Sequence, residues 1–108
     1  MVYCVITPVK TYEGTQMLPS MVTESIEEAK NYALATRARL ESRKFHHWAK
    51  HVRILTPTTP EGYREMSAKV LAYGHTLDDA SNGNSIYAQS LLTWGNKLRK
   101  LASQAKAK

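Results

Sequence analysis

Residues 43–55 read RKFHHWAKHVRIL, and the fold class turns on where, inside them, helix gives way to strand. Phe45, Trp48 and Val52 fall three and four positions apart, the spacing of one helical face. From His51 the period changes. In HVRILTP, Val52 and Ile54 share one face, and the following TPTTP ends the run with residues that do not continue a ladder. A strand here, placed after a long helix, makes the class α+β rather than all-helical.

Toward the N-terminus, VYCVITPVKTYEGTQMLPSMV reads as a β-hairpin. Val2, Cys4 and Ile6 alternate with Tyr3, Val5 and Thr7, and Glu13-Gly14 supplies a turn. Pro8 and Pro19 cannot donate to a ladder, so bulges or edge positions are expected there. Next, Ser25 and Glu28 make the S-x-x-E capping box, which predicts a helix start. Ile26, Ala29, Ala33, Arg37 and Leu40 trace its inner stripe, shallow because of the alanines and suited to lying on a sheet.

Toward the C-terminus, Thr59-Pro60 predicts an N-cap with proline at the first helical position. Tyr63, Met66, Val70 and Tyr73 continue that helix, and Gly74 is expected to stop it before a polar loop, GHTLDDASNGNS. A last helix follows from Ser85. Tyr87, Leu91, Trp94, Leu98, Leu101 and Ala105 recur at alternating spacings of 4 and 3, an apolar seam for the domain core or for a partner, a second copy in a homodimer included. Gly95 in mid-helix suggests close approach of another backbone.

The expected architecture is thus an N-terminal β-hairpin, a helix, a third strand and two helices, forming a small three-stranded sheet covered by helices. A crossover through the first helix would bring the third strand alongside the hairpin. The 108 residues suit a single α+β domain over 1–104, with 105–108 a frayed basic tail.

Composition narrows the function. No apolar run reaches the length of a membrane span and no secretory signal pattern is present, so a cytoplasmic protein that does not engage membranes is expected. The lone Cys4 cannot form an internal disulfide and reads as a small buried hydrophobe. There is no C-x-x-C, H-E-x-x-H, G-x-S-x-G, P-loop or dinucleotide fingerprint. No metal, cofactor or catalytic residue is therefore assigned, and a non-enzymatic binding protein is expected.

The net charge is +6, and it is unevenly spread. Arg37, Arg39, Arg43, Lys44, Lys50 and Arg53 lie in one segment against Glu41 alone, and no acid follows Asp79. Such blocks suit an anionic partner, either nucleic acid or an acidic protein surface. His46, His47 and His51 join the first block, while Phe45 and Trp48 add flat faces. Lys97, Arg99 and Lys100 form a second block.

The leading expectation is nucleic-acid binding, RNA or DNA, by phosphate neutralisation plus stacking, largely tolerant of sequence. A second is an inhibitor or adaptor of the compact kind that phages and mobile elements encode, docking the same basic face on a larger protein. A third is a small metal-independent ribonuclease using His46, His47 and His51. For Trp48 alone, a core position is favoured over an exposed one.

Overall fold

In the computed structural model, which describes residues 1–106 and the side chains as far as Gln104, the chain is α+β as expected. It divides into two compact units, Met1–Thr56 and Pro57–Lys108. Of the expected tail, Lys106 closes the last helix and residues 107–108 lie outside the described residues.

The first unit begins with β1 (Tyr3–Thr11) and β2 (Gly14–Thr23), an antiparallel hairpin turned at Tyr12-Glu13, with Gly14 at φ 105°. After β2 come α1 (Ile26–Ser42), the one-turn α2 (His46–Ala49) and β3 (Arg53–Leu55). The sheet order is β2-β1-β3, so the third strand does lie alongside the hairpin, antiparallel to β1.

The prolines sit where a missing N–H is tolerated. Pro8 lies in β1 beyond Cys4–Ile6, the stretch that pairs with β3, so one side of β1 has no ladder there. Pro19 adjoins a bulge: Val5 faces Met21 and Ile6 faces Pro19, leaving Ser20 as the extra residue. The bulge directs Ser20 inward, where its hydroxyl meets Thr7 Oγ1 at 2.6 Å and the Tyr32 hydroxyl of α1 at 3.1 Å. A buried polar bulge is thereby satisfied by side chains of both layers.

Helix α1 starts at the expected cap. The Glu28 N–H donates to Ser25 Oγ at 3.2 Å. The reciprocal half of the box runs through Thr23, whose hydroxyl accepts from the Ser25 N–H and donates to Glu28 Oε2. The buried stripe is Ala29, Ala33 and Thr36, with Leu40 half-buried; Arg37, expected on this stripe, is exposed, and Ile26 is 36% exposed. Val5, Ala29, Ala33 and Val52 make the centre of this core, with Tyr3, Met21, Tyr32, Leu40 and Ile54 packed around them. Burying a valine such as Val5 or Val52 contributes about 1.5–3 kcal/mol each.

The second unit is a pair of packed helices, α3 (Pro60–Ala80) and α4 (Ile86–Lys106). Thr59 Oγ1 accepts from the Gly62 N–H at 3.0 Å, and Pro60 opens the first turn, as the sequence predicts. The expected stop at Gly74 is incorrect, because α3 continues for six more residues. Gly74 is buried under α4, where a Cβ would lie 3.0 Å from Leu92 Cδ2 and 3.3 Å from Leu91 Cβ. It is a contact glycine, and the helix ends instead at Asn82, in the left-handed region at φ 54°. There the Gly83 N–H reaches Asp78 O and the Asn82 N–H reaches Asp79 O, the two bonds of a Schellman stop.

The apolar stripe of α4 is rotated from the expected seam. Leu91 and Leu98 are buried as expected, but Ala88, Gly95 and Ala102 complete the buried row. Trp94 and Leu101 are only half-buried, Tyr87 is 43% exposed, and the side chain of Ala105 lies outside the described residues. The cause is the closeness of the two helices. A Cβ on Gly95 would lie 2.5 Å from Leu71 Cγ and 3.3 Å from its backbone nitrogen, and Ser67 Oγ donates to Gly95 O at 2.7 Å. At that separation no side chain fits at position 95, so Trp94 and Leu101 lie at the flanks while Leu91 and Leu98 stay buried on either side of it.

Candidate nucleic-acid interface

Arg43, Lys44 and Lys50 of the first basic block lie in the turn that carries the chain from α1 through α2 to β3, with Arg37 and Arg39 in the second half of α1 and Arg53 opening β3. Helix α1 closes with a Schellman motif in which Lys44, not glycine, takes the left-handed position at φ 64°. The Phe45 N–H donates to Leu40 O at 2.8 Å and the Lys44 N–H to Glu41 O at 3.0 Å. These bonds fix the backbone that presents Arg43, Lys44 and Phe45. Helix α2 adds one turn, with Ala49 buried beneath it and His46, His47 and Lys50 exposed.

Arg37 is drawn into the scaffold. Its Nη2 donates to Val52 O at 2.6 Å, tying the middle of α1 to the residue before β3. Arg39 lies two residues further and so about 200° round the helix, on the opposite flank. The two arginines are exposed but do not share a face, contrary to their grouping in one patch. Arg43, Lys44, Lys50 and Arg53 are also exposed. Among the described residues no ion pair neutralises Arg39, Arg43, Lys44, Lys50 or Arg53, whereas Arg64 is paired with Glu61 at 3.3 Å.

The aromatic residues divide differently from the expectation for a core block. Trp48 is half-buried and meets the edge of His47, ring centroids 5.4 Å apart and planes at 72°. Phe45, which the spacing puts on the same helical face and which also offers a flat face for stacking, is 50% exposed. The Schellman stop at Lys44 separates Phe45 from α1, and Phe45 instead caps α2, its carbonyl accepting from the Trp48 and Ala49 N–H groups.

His47 and His51 are brought together, with ring centroids 5.0 Å apart and planes at 75°. The turn continues past Ala49 through a bond from the His51 N–H to Trp48 O, which keeps the pair in helical relation although β3 starts two residues later. Two imidazoles at this separation can offer donors to one phosphate or exchange protons with a bound group. Among the described residues no three His, Cys, Asp or Glu side chains gather as a metal site would need.

The second block lies on α4 of the other unit. Lys97 Nζ stands 4.6 Å from the Trp94 ring centroid, and Arg99 Nη2 donates to Asn96 Oδ1 at 3.0 Å. Lys100 is exposed. Arg99 is again about 200° round the helix from Lys97, so this block is a belt rather than a point of charge.

Cys4 is fully buried, and burial pushes its thiol from an ordinary 9.0 up to about 12, which agrees with its reading as a small core residue. Among the described residues no helix is long and apolar enough to cross a membrane. No protein-family model matches the chain, and no curated protein or solved structure matches it.

Proposed function

We propose that this is a non-enzymatic nucleic-acid-binding protein of the cytoplasm, which takes up the phosphate backbone on the cationic turn between α1 and β3. The observation that carries the reading is the concentration of Arg39, Arg43, Lys44, Lys50 and Arg53 on the surface of one small unit without carboxylate partners among the described residues. Cations that are not neutralised internally are available to displace the counterions of a polyanion. His46, His47 and His51 lie in the same turn and add donors.

Binding of this kind is backbone-directed and tolerant of sequence. It is tested by fluorescence anisotropy of labelled oligonucleotides at two salt concentrations. Saturable binding that weakens steeply with salt is the expected result. No binding at low salt rejects the reading and directs attention to an acidic protein as the partner of the same face.

A further inference from the structure

We propose that the nucleic acid taken up by this face is an unpaired strand, RNA or DNA, and that Phe45 is the platform on which one of its bases stacks. This rests on the nucleic-acid reading above and names the class of ligand within it.

Phe45 is half exposed, whereas Trp48, the other candidate for stacking, is half-buried with His47 against it. Residue 45 is also held in place at its root. Its N–H is bonded to Leu40 O at 2.8 Å, and the preceding Lys44 is locked in the left-handed region by the Schellman bonds. With the backbone held, the freedom lost when a base settles on the ring is confined to its two side-chain torsions.

Part of the ring's role is structural. In this motif the residue after the left-handed position commonly rests on the one five positions earlier, here Leu40. That contact calls for an apolar side chain but not for an aromatic one. What a phenyl ring adds is a flat π-face, and it does so between Arg43-Lys44 and His46, the groups that would hold the flanking phosphates.

A duplex cannot use that face, since its bases present only their edges in the grooves. An unpaired strand presents base faces at the same spacing as its phosphates. The four-residue α2 is moreover a short element to lay along a major groove.

The test is anisotropy with oligo(U), oligo(dT) and a duplex of equal length, using the full chain and its Phe45→Leu, Phe45→Ala and Phe45→Tyr variants. Wild-type protein should prefer single strands. Phe45→Leu, which keeps the apolar contact without the π-face, should weaken single-strand binding by roughly 5- to 150-fold, as should Phe45→Ala. Phe45→Tyr should bind as wild type does, duplex binding should be unaltered, and the salt slope should not move because no phosphate contact is removed. Circular dichroism identifies any variant that fails to fold, and Phe45→Leu, the gentler change, then decides.

Unchanged single-strand affinity in Phe45→Leu, or an equal loss on duplex, overturns the proposal. Equal wild-type affinity for duplex and single strands overturns it too, while leaving the nucleic-acid reading intact. Absence of binding to every oligonucleotide overturns both. The oligo(U) and oligo(dT) arms report which sugar is preferred.

Discussion

The guanidinium of Arg37 donates to the carbonyl oxygen of Val52 across 2.6 Å, so a residue of the basic block serves as a brace between α1 and β3. Val52 is 1% exposed and belongs to the core of its unit. The bond therefore joins the charged turn to the part of the fold least able to move. A hydrogen bond to a charged donor contributes about 1.5–3 kcal/mol. Arg37→Ala should lower stability by about 1–3 kcal/mol, measured by urea denaturation, and disturb oligonucleotide binding only through that loss. Arg37→Gln, which can still donate, should recover part of the stability.

Lys44 separates stability from charge. A non-glycine residue in the left-handed region carries a backbone cost of roughly 1 kcal/mol or more. Lys44→Gly should therefore raise the midpoint of thermal unfolding, by about 0.5–1 kcal/mol in stability, while removing one cation from the rim. The same variant should bind oligonucleotides more weakly, with a salt slope smaller by about one. A more stable protein with unaltered affinity would remove Lys44 from the interface.

Reversing the neighbouring charges is the harsher test of the face. Arg43→Glu combined with Lys44→Glu should abolish most binding at moderate salt, since it replaces two phosphate partners with repulsive carboxylates. Both residues are exposed, so the circular dichroism spectrum should be retained.

At the crossing of α3 and α4, Gly95→Ala should destabilise the protein although alanine is the better helix former by about 1 kcal/mol. The added methyl would meet Leu71 Cγ at 2.5 Å, and overpacking of this kind costs about 1–3 kcal/mol. Enlarging Leu71's space with Gly95→Ala/Leu71→Ala should relieve the clash, so that in a double-mutant cycle the pair is less damaging than the sum of the singles.

The buried thiol of Cys4 makes a pH prediction. Its folded-state value is raised to about 12 from 9.0, so above pH 9.0 the unfolded chain loses a proton that the folded chain retains. Stability from this group is fully present below pH 9.0 and declines by about 1.4 kcal/mol per pH unit between there and about 12. Wild type should therefore lose stability relative to Cys4→Ala as pH rises through that window. At neutral pH the native thiol should resist alkylation, reacting only after unfolding.

Much of the fold was legible because it is written locally. The caps at Ser25 and Thr59-Pro60, the alternation in β1 and the change of period at His51 each act within a few residues. So does the choice of a small hydrophobe at Cys4. In α1 the spacing of Ala29, Ala33 and Leu40 is completed by Thr36, one position before Arg37, so the buried stripe also follows a local period.

The candidate site was legible as a concentration of charge, since residues 37–53 are close in sequence however they fold. Its geometry was not. The spacing placed Phe45 and Trp48 on one helical face, but a helix stop at Lys44, which lacks the usual glycine signal, makes Phe45 the N-cap of a new turn and leaves it half exposed.

What the sequence determined by itself is the type and order of the elements and the composition of the basic turn, because backbone propensity, capping and charge act at short range. Tertiary structure alone decided how α4 is turned about its axis and how far Phe45 and Trp48 are exposed. The seam of α4 looked set by its largest side chains, yet Ala88, Gly95 and Ala102 share the buried row with Leu91 and Leu98 while Trp94 and Leu101 lie at its flanks. The Leu91 and Leu92 side chains against Gly74, and the side chain and backbone nitrogen of Leu71 against Gly95, leave no room for a larger residue at either position. That separation belongs to the pair of helices, and neither helix encodes it alone.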